Sequence, residues 1–266
     1  MLLSEEQAQR YSRHFVLSEI GEPGQKLLLQ SKVLVIGAGG LGSSAIMQLA
    51  AAGVGVLGIA DCDRVELPNL QRQTIHRTKD VGTEKVLSAK RAVEELNPDV
   101  TVQLHPERMT VDNIQDAVER YDFVLDCTDR FETKFLINDA CVLSKKPYSH
   151  AGAVRFEGQA MTYVPGKGPC LRCLLGSVPP AGDVQLCKEV GVLGAVVGIM
   201  GCIQAAETVK FLLGKGQLLT GRVLHFDGLT MRTRVSELPD PDRHCAVCGE
   251  KPAILSLFEN REEYEI

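Results

Sequence analysis

Lys32-Val33-Leu34-Val35-Ile36-Gly37-Ala38-Gly39-Gly40-Leu41-Gly42 (KVLVIGAGGLG) decides how the rest of the chain is read. Its first five residues are an apolar run with a single lysine at the start, as a parallel strand covered on both faces requires. The glycines that follow fit GxGxxG, where a strand gives way to a helix. There the first glycine permits the tight turn and the second lets backbone approach a phosphate. The third allows helix and strand to pack closely, and free N–H groups at the helix start attract the anion. Gly37, Gly39, Gly40 and Gly42 are therefore candidate nucleotide-binding residues.

Working outward, the pattern predicts a helix over 41–52 closed by Gly53, and a strand over 56–60. Next come a helix over 84–96 stopped by Asn97-Pro98, a strand over 100–104, a helix over 111–120 and a strand over 123–125. Alternation of this kind implies βαβ units and an α/β fold. After Ala151 the pattern changes: 154–164 and 221–235 each read as strand pairs, separated by a Pro/Gly-rich stretch and a long helix over 192–213. One mostly parallel sheet, continued by antiparallel strands, is expected to cross this join. The expected organisation is a single domain over 1–266, with a nucleotide-binding half at 1–150, a second half at 151–250 and a solvated, glutamate-rich tail at 251–266.

Composition sets the limits. The 266 residues carry 29 basic and 34 acidic side chains, a net charge of −5, and are 44% hydrophobic and 24% charged. Those fractions exclude collagenous and wholly disordered chains, and the sign of the charge argues against nonspecific binding to nucleic acid or anionic membrane. The opening MLLSEEQAQRYSRHF lacks the basic-then-apolar order of a signal peptide. The apolar stretch 192–213 includes Gln204, Glu207 and Lys210, so it reads as a buried helix rather than a membrane span. Nine cysteines, with two CxxC pairs among them, point to metal binding in a reducing compartment, and a cytoplasmic location is expected.

Asp61 ends the second predicted strand, where a carboxylate can accept both hydroxyls of a ribose. NAD and ATP are not separated by that much. The segment Asn69-Leu70-Gln71-Arg72-Gln73 with Lys85 favours a triphosphate, because an NAD enzyme has no need of two further cations, whereas attack at an α-phosphorus does. Asp129, beyond the strand at 123–125, falls at the carboxyl edge of the sheet and suits Mg²⁺, which takes one or two carboxylates together with phosphate oxygens. Lys134 and Asn138 follow at helical spacing and are candidates for the same pocket. An NAD-dependent oxidoreductase and a noncatalytic zinc-stabilised interaction module are the competing classes.

Cys170-Leu171-Arg172-Cys173 and Cys245-Ala246-Val247-Cys248 supply four thiolates, enough to saturate a tetrahedral Zn²⁺ with no open position. Such a metal is structural and pins the C-terminal end to the body. Cys187, flanked by Lys188 in a loop after the Pro/Gly-rich stretch, is either a nucleophile with a lowered pKa or an incidental thiol. Cys62, Cys127, Cys141 and Cys202 read as small core residues, and His14, His76, His105, His150 and His225 as structural.

RYSRHF (10–15), VIGAGGLGS (35–43), DCDRVELPNLQRQ (61–73), GTEK (82–85) and DCTD (126–129) occur in the order seen in one family. From about Gln9 to Gly249 the chain resembles the ATP-dependent activating enzymes of ubiquitin-like proteins, most closely the short bacterial MoeB/ThiF/HesA adenylyltransferases. The resemblance implies a Rossmann-like fold and adenylation of the C-terminal glycine of a ubiquitin-like sulfur carrier ending in Gly-Gly, with release of pyrophosphate. It implies that Asp61 holds the ribose, that Asn69, Arg72 and Lys85 hold phosphates, and that Asp129 binds magnesium and helps admit the carrier's carboxylate. Arg13 matches an arginine that reaches into the neighbouring subunit's site, which implies a homodimer. Arg130 stands where relatives usually carry asparagine, and Cys187 matches a cysteine that can bond to the carrier through sulfur. The cysteine pairs are shared. No sulfurtransferase segment follows in the sequence, so a separate sulfur donor protein is expected.

Overall fold

The computed structural model describes residues 3–180 and 190–265. Eight strands are present among them: β1 (Lys32–Ile36), β2 (Val56–Ala60), β3 (Thr101–His105), β4 (Phe123–Asp126), β5 (Tyr148–Val154), β6 (Glu157–Tyr163), β7 (Arg222–Asp227) and β8 (Arg232–Glu237). They pair into one sheet in the order β3-β2-β1-β4-β5-β6-β7-β8. Pairing is parallel from β3 to β5 and antiparallel from β5 to β8, so the sheet does continue across the join.

The apolar run of β1 is explained by its two covered faces. Val33 and Val35 enter a core with the helices of one side, and Leu34 and Ile36 enter a second core on the other. Three helices, α1 (Glu5–Arg10), α2 (Ser12–Phe15) and α3 (Gly21–Gln30), precede the sheet. Next come α4 (Gly40–Ala52), α5 (Lys85–Leu96), α6 (Ile114–Glu119), α7 (Phe131–Leu143) and α8 (Leu171–Leu175), then α9 (Gly194–Leu213) and α10 (Arg261–Tyr264). α9 is long and apolar enough to cross a membrane by length and composition; here it lies against α4, β5 and β6. That contact is close because α9 presents glycines to it. A Cβ on Gly201 would run into the Leu41 carbonyl oxygen, and one on Gly194 would come within 2.5 Å of the Gln71 carbonyl oxygen.

The turn from β1 to α4 depends on two glycines. Gly37 has φ +101°, and a Cβ there would lie 2.6 Å from the Cys127 carbonyl oxygen. A Cβ on Gly42 would collide with the Gly37 carbonyl oxygen. The third glycine of the motif is thus a packing residue.

Three sequence expectations need correction. The stretch 154–164 is not a strand pair: β6 pairs with β5, which begins upstream at Tyr148. Ser149-His150-Ala151-Gly152-Ala153 has little intrinsic strand preference, and β5 is held by ladders on both sides. The helix expected over 111–120 is confined to α6. The segment 251–266 is no solvated tail among its described residues, because Ile254, Leu257 and Tyr264 are buried. The Tyr264 hydroxyl donates to Asp139 Oδ2 at 2.6 Å, and Glu263 pairs with Arg172 at 2.7 Å. One of its glutamates, Glu263, answers a buried arginine, while Glu259, Glu262 and Glu265 stay exposed.

Candidate active site

The carboxyl ends of the parallel strands open into a cavity of about 940 Å³, the size of a small-ligand site. Gly37, Gly39, Gly40, Asp61, Arg72, Gln73, Lys85, Asp129 and Arg130 all line it. Gly42 does not, for the packing reason given above. Nor does Asn69, whose Oδ1 accepts the Glu66 N–H at 3.2 Å and caps the short 3₁₀ turn at Leu67–Asn69. Arg13 lies exposed on α2 and does not line this cavity of its own chain. Cys187 lies outside the described residues. Cys62, read as a core residue, is exposed and lines the cavity, and Cys202 is exposed on α9.

Asp61 follows directly on β2. Its Oδ2 accepts the Ala38 N–H at 2.8 Å and its Oδ1 accepts the Asp63 N–H at 2.9 Å, which ties the carboxylate to the glycine loop. Burial pushes its pKa up, with Lys85 opposing. Lys85, at the first turn of α5, donates from Nζ to Asp63 Oδ2 at 2.8 Å and is 3.9 Å from Asp61 Oδ1. Arg72 is half-buried, with one Nη1 donation to the Pro68 carbonyl at 3.3 Å. Beside it the Gln73 side chain is buried with Oε1 unpartnered, and a Cβ on Gly39 would be 3.7 Å from Gln73 Nε2. An orphaned amide oxygen beside a phosphate-type loop, flanked by two cations, fits a nucleotide that carries both hydrogen-bond donors and negative charge.

Two histidines do more here than the sequence suggested. His76 Nε2 contacts the Ala38 carbonyl at 3.0 Å and Nδ1 contacts Ser88 Oγ at 2.9 Å, so the imidazole holds the glycine loop from behind. Burial lowers its pKa, consistent with a neutral ring. His150 lines the cavity and places Nδ1 2.7 Å from Asp126 Oδ2. Lys134 Nζ donates to the same oxygen at 3.1 Å and to the Ala151 carbonyl at 2.9 Å, while Thr128 donates through N–H and hydroxyl to Asp126 Oδ1. Asn138, the other helical candidate, points elsewhere, accepting from the Tyr148 hydroxyl and the Leu171 N–H. Only the parallel register that sets Asp126 opposite His150 brings this group together.

Burial alone would push the Asp126 carboxyl up, yet the Lys134 charge and the His150 and Thr128 hydrogen bonds outweigh it and hold it well below the usual carboxylate range. Asp126→Asn leaves the buried Lys134 ammonium without its counter-charge and is expected to cost about 3–5 kcal/mol, read as a lower urea midpoint. A depressed native pKa stabilises the fold fully above the unfolded-state value of about 4 and loses its effect as pH falls through the folded value. The gap between wild type and Asp126→Asn should therefore narrow below about pH 4. An equal gap at pH 7 and pH 3 would contradict this account.

The cavity continues onto the antiparallel strands. Register aligns Gly152, Gln159, His225 and Arg234 in one row and Val154, Glu157, Asp227 and Arg232 in the next, and all line the same wall. Motif reading missed this polar trough because its members are single residues alternating on separate strands.

The four cysteines converge elsewhere, beside α7. Cys170, Cys173, Cys245 and Cys248 place their sulfurs within 4.8 Å of one another, with neighbouring separations of 3.8, 3.7 and 3.3 Å. A tetrahedral ion with metal–sulfur bonds of about 2.3 Å calls for sulfurs roughly 3.8 Å apart, so the cluster is compatible with one metal.

Residues 11–247 match the ThiF family. The chain is 45% identical over 257 residues to the adenylyltransferase and sulfurtransferase MOCS3 of Aedes aegypti, covering 97% of this chain and 59% of that protein. It thus spans about three-fifths of the MOCS3 proteins it matches. It is 47% identical over 245 residues to the SAMP-activating enzyme E1 of Haloferax volcanii, covering 92% and 90%. Among solved structures, E. coli MccB with MccA-N7isoASN superposes with TM-score 0.80 at 25% identity, covering 93% of this chain and 76% of that one.

Proposed function

The chain belongs to the ThiF family, and on that premise we propose that it is an ATP-dependent adenylyltransferase acting on the C-terminal glycine of a ubiquitin-like sulfur carrier ending in Gly-Gly. The observation that carries this reading is the continuity of one cavity from the glycine loop, Asp61, Arg72 and Lys85 to the trough on β6–β8. A nucleotide and an extended peptide tail fit end to end in such a space. Asp61 would hold the ribose, and the glycine loop with Arg72, Gln73 and Lys85 the phosphates. Asp129, exposed at the cavity mouth, suits Mg²⁺, which when bound neutralises phosphate oxygens.

A carrier carboxylate oxygen bonds to the α-phosphorus as the bond to the bridging oxygen breaks, and pyrophosphate leaves with the electron pair. The nucleophile is already ionised, so the chain need supply position and positive charge but no base. Thiocarboxylate formation would follow with sulfur from a separate donor protein, and Zn²⁺ in the cysteine cluster would be structural. The test is exchange of labelled pyrophosphate into ATP against a panel of Gly-Gly carriers. Exchange with at least one is expected; none, together with NAD(H) binding, would favour an oxidoreductase.

Arg13 is exposed and does not line the cavity of its own chain, which suits action across a homodimer. Arg13→Ala and Asp129→Ala are each expected to be inactive alone. On mixing with verified subunit exchange, about a quarter of wild-type sites should return, since random pairing gives half heterodimers with one intact site in two. No recovery would place Arg13 within its own chain.

A further inference from the structure

His150 is almost fully buried, at 5% exposure, yet its ring forms part of the cavity wall. Nδ1 is committed to Asp126, while Nε2 has no partner among the described residues. The carboxylate behind it is saturated: Lys134 and His150 take one oxygen and Thr128 the other, and Asp126 itself is wholly buried. Burial is the first reason that the ring stays neutral, and Lys134 is the second. By neutralising Asp126, Lys134 removes the incentive for the imidazole to become cationic. A neutral ring that donates from Nδ1 to a carboxylate has a bare lone pair on Nε2, which is a hydrogen-bond acceptor.

Position then decides what it accepts. In the strand order β2-β1-β4-β5, His150 lies three strand steps from Asp61, or roughly 14 Å at the usual strand spacing. Ribose hydroxyls held at Asp61 are out of its reach. Phosphate and carboxylate oxygens offer no hydrogen at neutral pH. His150 stands instead where the nucleotide end of the cavity meets the trough row that begins at Gly152 and Gln159. The hydrogen-bond donor nearest a carboxylate presented there is the amide of the residue that bears it.

We infer that His150 Nε2 accepts the backbone N–H of the carrier's terminal glycine, fixing the carboxylate for attack and making the site selective for a secondary amide at that position. Lys134 and Asp126 act through the ring as positioning residues. The inference rests on the adenylation reading and adds a specificity rule to it. Carriers whose last residue lacks an amide hydrogen are poor substrates.

The test pairs an enzyme change with a substrate change, using a carrier that supports exchange with wild type. His150→Ala should raise KM for the carrier about 10-fold, as expected when one hydrogen bond to a buried group is lost, with KM for ATP within about twofold. His150→Gln, which offers an oxygen acceptor from a similar length of side chain, should recover part of the loss. Semisynthetic carrier ending in glycine-sarcosine removes the N–H. It should cost wild type about 10-fold and cost His150→Ala little more than the normal carrier does. ATP affinity and the urea midpoint of each variant report folding independently of the carrier. An unchanged carrier KM in folded His150→Ala, or an equal sarcosine penalty in both enzymes, overturns the inference and leaves adenylation standing. Wild type inactive with every carrier overturns both.

Discussion

Arg72→Ala and Lys85→Ala are each expected to lower pyrophosphate exchange by roughly 10²-fold or more, the range seen when one preorganised charge on a transition state is removed. Both side chains line the cavity beside the glycine loop, and Lys85 is only 6% exposed. Lys85 is held in place by Asp63, so its ammonium is positioned before any nucleotide arrives and costs little to orient. Lys85→Ala also frees Asp63 and removes the charge opposing Asp61, so weaker ATP binding should accompany the rate loss. Arg72→Ala touches no buried ion pair, and its effect should fall mainly on turnover. Steady-state exchange kinetics with the urea midpoint as a folding control make the comparison. Near-wild-type exchange in both folded variants would remove these two cations from the chemistry.

Chelation is expected to have the largest effect on stability. Four thiols in one cluster, two of them buried, bring together segments far apart in sequence, and a metal binding only the folded arrangement stabilises it by its full binding free energy. Strong chelator should release one equivalent of Zn²⁺ per chain and lower Tm by well over 10 °C, on the order expected when several kcal/mol are lost from a domain this size. Cys248→Ser should do the same without chelator. Arg172, between two of these cysteines, remains tied to Asp139 and Glu263, so the loss should begin at 245–250 rather than at α8. Metal content by elemental analysis and melting in the same preparation decide the matter; a Tm indifferent to chelator would mean that the thiols stand without an ion.

The features legible in the sequence were local. KVLVI followed by GAGGLG needs only neighbouring residues to define a strand, a turn and a helix start, and all three form where the pattern places them. Asp61 and Lys85 reach the cavity because each stands at the end or start of one well-marked element. The cysteine pairs announced, by their spacing, a four-thiol cluster compatible with one metal. What escaped was the product of register. His150 reads as an ordinary buried histidine until β5 is set beside β4 and Asp126 faces it. The trough escaped likewise, since Gln159, His225 and Arg234 come from three strands. Asn69 was legible only as part of a strong motif, and its amide oxygen caps its own short helix outside the cavity lining. Glu263 and Tyr264 were hidden by composition, because a run of glutamates conceals a residue that completes a buried network.

The glycines of α9 give the two sides of that helix very different freedom. On the side facing α4, Gly198 comes within reach of Ser44, Gly201 abuts the Leu41 carbonyl and Gly194 the backbone at Gln71 and Arg72. A single added methyl at Gly194 or Gly201 meets main chain, which cannot rotate aside as a side chain can. The outward stripe of Ala195, Ile199, Cys202 and Ala206 is exposed and meets no such barrier within its own chain. Over many generations of substitution one side of α9 should therefore stand nearly still while the other drifts, and the motionless side is the one that carries the backbone of Arg72.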